Sequence, residues 1–163
     1  MRKSVKKNIY LYIFLLISIF AQVYMKRVLP VFPDLIMLIV IFTGIFYGAV
    51  DGAILGLIAG FLRGVFSPST FEADIFIFSF VGFMAAILAS MFYKNRPLSQ
   101  MFITGVLFFA VIYLQITFVS IKGENPISLH SAILAGWNMM VLTVVIAPVF
   151  FAIFAAALDI EEQ

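Results

Sequence analysis

The stretch "GIFYGAVDGAILGLIAGFLRG", residues 44–64, sets six of the chain's ten glycines four apart without a miss. Gly44, Gly48, Gly52, Gly56, Gly60 and Gly64 form the ladder, with Asp51 inside it and Arg63 near its end. In water, glycine in a helix costs roughly 0.5–1 kcal/mol relative to alanine, so a helical repeat of glycines calls for a different solvent. The composition supplies one. The 163 residues are 64% hydrophobic and 11% charged, with a mean hydropathy of +1.18. A soluble domain carries about 25% charged residues and cannot hide this much apolar surface in one core. The lipid bilayer is therefore the solvent for most of the chain. The absence of cysteine excludes disulfides and thiol chemistry. A net charge of +2 is too small and too scattered for nucleic-acid binding.

A spanning helix needs about 20 mostly apolar residues. Residues 8–25 are uncharged and bracketed by Lys6-Lys7 and Lys26-Arg27, with Tyr10, Tyr12 and Tyr24 near the two ends. No small-residue cleavage site follows, so this is read as an uncleaved first span rather than a signal peptide. From Leu35 to Phe66 the chain is apolar apart from Asp51 and Arg63. As one helix it would be about 48 Å long, against roughly 30 Å of hydrocarbon. Steps of four residues also drift about 40° each around a helix, which smears one continuous ladder over half its circumference. Split near Asp51, each half keeps its glycines on a narrow face. The expected spans are thus 8–25, 34–50, 52–66, 75–93, 101–121 and 131–158, in a single transmembrane domain covering 1–163. "SPSTFEAD", "KNRPLSQ" and "KGENPISLH" are read as loops and "DIEEQ" as a polar tail. The last span is long enough to tilt or to bend at Pro148.

Six spans place both termini on one side. With that side cytoplasmic, the inner segments hold Arg2, Lys3, Lys6, Lys7, Lys94 and Arg96, the outer ones Lys26, Arg27, Arg63 and Lys122. The bias and the N-terminal cluster give N-in, C-in. No soluble domain is expected on either face.

In lipid the glycine ladder has a use. Small residues four apart let backbones approach closely, gaining dispersion contacts and Cα–H hydrogen bonds. The ladder serves either packing within the subunit, the common role of such patterns, or docking of another membrane protein. Asp51 and Arg63 are the only charges inside the hydrophobic runs, and both fall at expected helix ends. Asp51 is read as a cap of the third span and Asp34 as a cap of the second. Arg63 is expected to snorkel to the outer interface and meet Glu72 or Asp74. His130, the single histidine, has no nearby carboxylates to make a metal site with. Gln22, Gln115, Thr117 and Asn138 are expected to hydrogen-bond between helices. No nucleophile-base set, paired-carboxylate site or phosphate-binding loop can be assembled, and no cofactor or metal is expected.

From Pro33-Asp34 through Gly44, Gly48, Gly52, Gly56 and Gly60 to Ser67, the sequence resembles the rod shape-determining protein MreD family. The "VGF" at Val81 to Phe83 and the span holding Asn138 and Pro148 stand at matching places. Where that family commonly has an acidic residue before the loop, this chain has Arg63-Gly64, and its Asn-to-Pro spacing looks longer. The resemblance implies a non-enzymatic inner-membrane subunit of the bacterial cell-wall elongation complex. It implies binding to MreC, and through it a link from the MreB filament to the RodA glycosyltransferase and its transpeptidase partner. Partner contact is then expected at the ladder and at Arg63, Glu72 and Asp74. The implied fold is similar to the substrate-binding subunits of energy-coupling-factor vitamin transporters, which sets the rival expectation of a small-molecule carrier. Those subunits dock through an Ala-xxx-Ala face on the first span; this first span has one alanine, Ala21, and Ala152-xxx-Ala156 lies on the last. A lipid-modifying membrane enzyme lacks candidate residues.

Overall fold

The computed structural model describes residues 2–29, 31–66, 70–92, 96–121 and 129–158, with side chains from 11–25, 28–29, 31–66, 70–92, 96–118, 120–121 and 136–158. The terminal basic cluster, His130, Lys94, Lys122 and the tail after residue 158 lie outside the described side chains. The described residues form six α-helices: α1 (Arg2–Val28), α2 (Leu35–Tyr47), α3 (Ala49–Val65), α4 (Phe71–Met91), α5 (Pro97–Ile121) and α6 (Leu129–Ala157). Among the described residues, three segments are long and apolar enough to cross a membrane: Phe71–Met91, Pro97–Phe118 and Gly136–Ala157. Leu11–Met25 and Leu35–Tyr47 are shorter apolar helices. With those lengths and this composition, the chain reads as a membrane protein.

The apolar run from residue 35 is broken, as its length requires, but at Gly48 rather than at Asp51. Gly48 has φ +104°, the left-handed region that L side chains rarely enter, and it separates α2 from α3. The chain reverses there, because Asp34 before α2 and Arg63 near the end of α3 are brought into contact. Asp51 falls in the first turn of α3, where its exposed carboxylate faces the positive end of the helix dipole. Gly48, not Asp51, holds the N-cap position of α3, so the expected capping position is corrected.

α2 is the buried axis of the molecule. Every residue from Ile36 to Ile45 is buried, which is why its sequence is apolar all round rather than striped. At its lower end Phe42 packs against Phe151 and Phe154 of α6, and Phe14 of α1 lies 4.6 Å from Phe154 between ring centroids. On its other side lie α3 and α4.

Those two helices make the closest approach in the molecule. A Cβ added at Gly52, Gly56 or Gly60 would run into the backbone carbonyls of Gly82, Phe78 and Asp74 in turn. α3 ascends as α4 descends, so the pair is antiparallel. Gly44 of α2 also abuts the Gly82 carbonyl, and Gly52 abuts the Gly44 Cα. One glycine from each of three helices therefore meets at a single crossing point. At Gly64 a Cβ would meet Phe71, the first residue of α4, at both its ring and its Cα. Gly48 has no neighbour within 4 Å of a Cβ position, so it is a turn residue and not a packing rung. α4 itself begins at Phe71, four residues earlier than the sequence suggests. Glu72 and Asp74, read as loop residues, occupy its first turn, where carboxylates suit the helix dipole. α6 runs continuously through Pro148.

Candidate functional site

At the end of the bundle opposite the Gly48 turn, the starts of α2 and α4, the end of α3 and one side chain of α6 converge. Pro33-Asp34 opens α2, and Asp34 Oδ1 accepts the Met37 N–H at 3.1 Å. The free N–H groups of a helix start need partners, and here all four from Asp34 to Met37 have one, that of Leu35 being the Pro33 carbonyl at 3.0 Å. Asp34 donates its own N–H to the Thr143 hydroxyl at 3.0 Å, and Ile36 donates to Gln22 Oε1 at 3.4 Å. The Thr143 hydroxyl in turn donates to the Met139 carbonyl at 2.7 Å. Helices α1, α2 and α6 are thus tied at the Asp34 corner through side-chain oxygens.

The remaining Asp34 oxygen, Oδ2, accepts from Arg63 Nη1 at 2.9 Å. Arg63 was expected to meet Glu72 or Asp74 at the interface. Its guanidinium goes first to Asp34, with Nε 4.0 Å from Asp74 Oδ2 as the second partner. The Phe78 ring lies beneath it, 5.0 Å from centroid to Cζ, a cation–π distance that fixes the group from below. Thr70 donates its hydroxyl to Asp74 Oδ2 at 2.9 Å.

Burial decides what these groups can do. Asp34 is 3% exposed and Asp74 1%, whereas the Arg63 side chain is 20% exposed. Asp74 therefore offers almost no surface of its own at this end of the bundle. Arg63 reaches the surface only in part, and Glu72 is exposed. Breaking such a pair by removing one member costs about 3–5 kcal/mol, because it strands the other charge in low dielectric. Among the described residues no three His, Cys, Asp or Glu side chains come together as a metal site.

The ladder residues other than Gly48 are equally committed. Gly52, Gly56 and Gly60 face α4, Gly44 faces α4 and α3, and Gly64 faces Phe71, so a partner has no room on that surface. Gln22 does bond across helices, but Thr117 bonds back to the Tyr113 carbonyl of its own helix and Asn138 is exposed. At the turn end, Tyr12, Thr43, Tyr47 and Asp51 line a cleft of about 60 Å³. Pockets for small organic ligands run to about 300–1,000 Å³.

Sequence reasoning missed Thr143, which lies 109 residues from the backbone group it accepts from. It also missed Gly82 as the counterpart of Gly52, although "VGF" at Val81 to Phe83 was a visible signal. No curated protein and no solved structure matches the chain. The family model for the rod shape-determining protein MreD matches residues 1–158, and the chain belongs to that family.

Proposed function

We propose that this protein is a non-enzymatic, six-span scaffold of the bacterial inner membrane, with both termini cytoplasmic. It binds MreC and so links MreB inside to the RodA glycosyltransferase and its transpeptidase partner outside. The family membership, with its role in rod shape determination, is the observation that carries this reading. The arrangement of side chains supports it. Of the two charges that interrupt the apolar runs, Arg63 joins helices by pairing with Asp34 and Asp51 sits exposed at a helix start.

With the glycine ladder filled by α4, partner contact falls to the outward faces. The stripe Val50, Ile54, Leu57, Phe61 and Val65 on α3 is exposed along its length. Glu72 and the exposed part of Arg63 lie at its outer end.

The rival reading is a substrate-binding subunit of an energy-coupling-factor transporter, which would hold a vitamin-sized ligand in a cavity among its helices. Affinity purification from native membranes, followed by mass spectrometry, separates the two. MreC and cell-wall synthases should co-purify. Recovery of a transporter ATPase pair in their place would refute the scaffold reading.

A further inference from the structure

We infer that the outward face of α3 thins the bilayer beside it, so that lipid headgroups lie level with Val50 and Asp51 at its Gly48 end. The inference rests on the chain spanning a membrane and goes beyond the scaffold role. α3 and α4 keep one register along their crossing, Gly52 with Gly82, Gly56 with Phe78 and Gly60 with Asp74. Carried on at four residues for four, it sets Ala49, where α3 begins, beside Ala85, and α4 runs six residues further to Met91. At 1.5 Å per residue the overhang is about 9 Å. At the opposite end Arg63 and Asp74 are level, 4.0 Å apart. From that shared edge α4 is uncharged for about 26 Å to Met91, α3 for only about 18 Å to Asp51. A hydrocarbon layer of roughly 30 Å suits the first far better than the second.

The two helix ends make opposite demands. Val50 is 70% exposed and Asp51 is exposed, so the start of α3 lies at the surface. Hydrocarbon there would meet a carboxylate and the free backbone groups of two helix ends, none of which it can satisfy. Gly48 itself has open space where a Cβ would lie. The end of α4 exposes Ile87, Met91 and Phe92, which belong in hydrocarbon. A flat boundary at Met91 would strand the Gly48 turn in lipid chains, and one at Asp51 would put the apolar end of α4 in water. Tilt does not level the step. A drop of 9 Å across helices about 8–10 Å apart asks for more than about 40°, beyond the usual range. A short hydrophobic stretch is instead met by thinning of the lipid around it.

The test uses the full chain, which has no native cysteine, in phosphatidylcholine vesicles. Val50→Cys and Ile87→Cys, both at exposed positions, each carry a nitroxide. Its collisions with oxygen, which dissolves in hydrocarbon, are compared with those with a water-soluble nickel chelate. In the register above Val50 is level with Met84, about 4.5 Å nearer the bilayer centre than Ile87. The thinned boundary reverses their wetness: the Val50 label should meet the chelate and the Ile87 label oxygen. Solid-state NMR of the unmodified chain reads the same contrast without a variant, with cross-peaks from Val50 to the choline methyl groups and from Ile87 to the acyl chains. A Val50 label that the chelate does not reach overturns the proposal, whether lipid chains or a second copy cover it. Two labels that both meet the chelate overturn it as well, since α4 then ends in water. So does a wet Val50 without headgroup cross-peaks, the mark of a water-filled crevice in a flat bilayer.

Discussion

At the scale of single residues, the account rests on Arg63 and on glycines that cannot accept a Cβ. Arg63→Gln should leave Asp34 and Asp74 without their shared cation and destabilise the fold by about 3–5 kcal/mol, read as a lowered unfolding temperature in detergent or nanodiscs. Arg63→Lys should recover only part of this, because an ammonium cannot span both carboxylates from one position over the Phe78 ring. At the helix crossing, Gly56→Ala places a methyl group against the Phe78 carbonyl, a backbone atom that has no rotamer to escape into. A cost on the order of 1–3 kcal/mol is expected, while Leu57→Ala, at a residue 50% exposed, should change stability little. Equal stabilities for the two variants would contradict the close crossing. Some of this chemistry is legible in sequence because it is local. A cap involves three residues, so Pro33-Asp34 ahead of a leucine-rich run contains the whole interaction with Met37. The Arg63–Asp34 pair spans 29 residues, and nothing in "FLRG" or "FPDL" says that the two will meet.

At the scale of helices, hydrophobic length and glycine drift together demand that residues 35–66 form two elements, and two elements form. The position of the break is not legible, because six glycines offer the same freedom and only one, Gly48, takes the left-handed conformation. The start of α4 is obscured for a different reason. "STFEAD" is polar enough for a loop, yet its carboxylates lie in a first turn and Asp74 points into the bundle. α2 and α3, at 13 and 17 residues, would be only about 20 Å and 26 Å long, shorter than the hydrocarbon layer. Their Gly48 turn should therefore lie close to, or just inside, the cytoplasmic interface. Since the native chain has no cysteine, Asp51→Cys can be probed directly. It should react with a membrane-impermeant maleimide only from the cytoplasmic side. Labelling from outside would overturn the proposed orientation of the hairpin.

At the scale of the whole molecule, two conspicuous sequence features, the glycine ladder and the Asp34–Arg63 pair, are turned inward among the described residues. The ladder closes α3 onto α4, and the charged cluster ties the ends of α2, α3 and α4 together. What faces outward is an apolar surface on α1, α3, α5 and α6, suited to lipid or to other membrane helices. The family is recognisable from the sequence because a glycine spacing and a Pro-Asp pair survive as linear patterns, and the match extends over residues 1–158. The partner-binding face is not, because an exposed leucine in a membrane helix reads the same whether lipid or protein covers it. The most direct test of the scaffold role is depletion of this protein in a rod-shaped host, scoring cell width and vitamin uptake together. The account predicts rounded, swollen cells before growth stops, with uptake unchanged; cells that stay rod-shaped but come to need an added vitamin would contradict it.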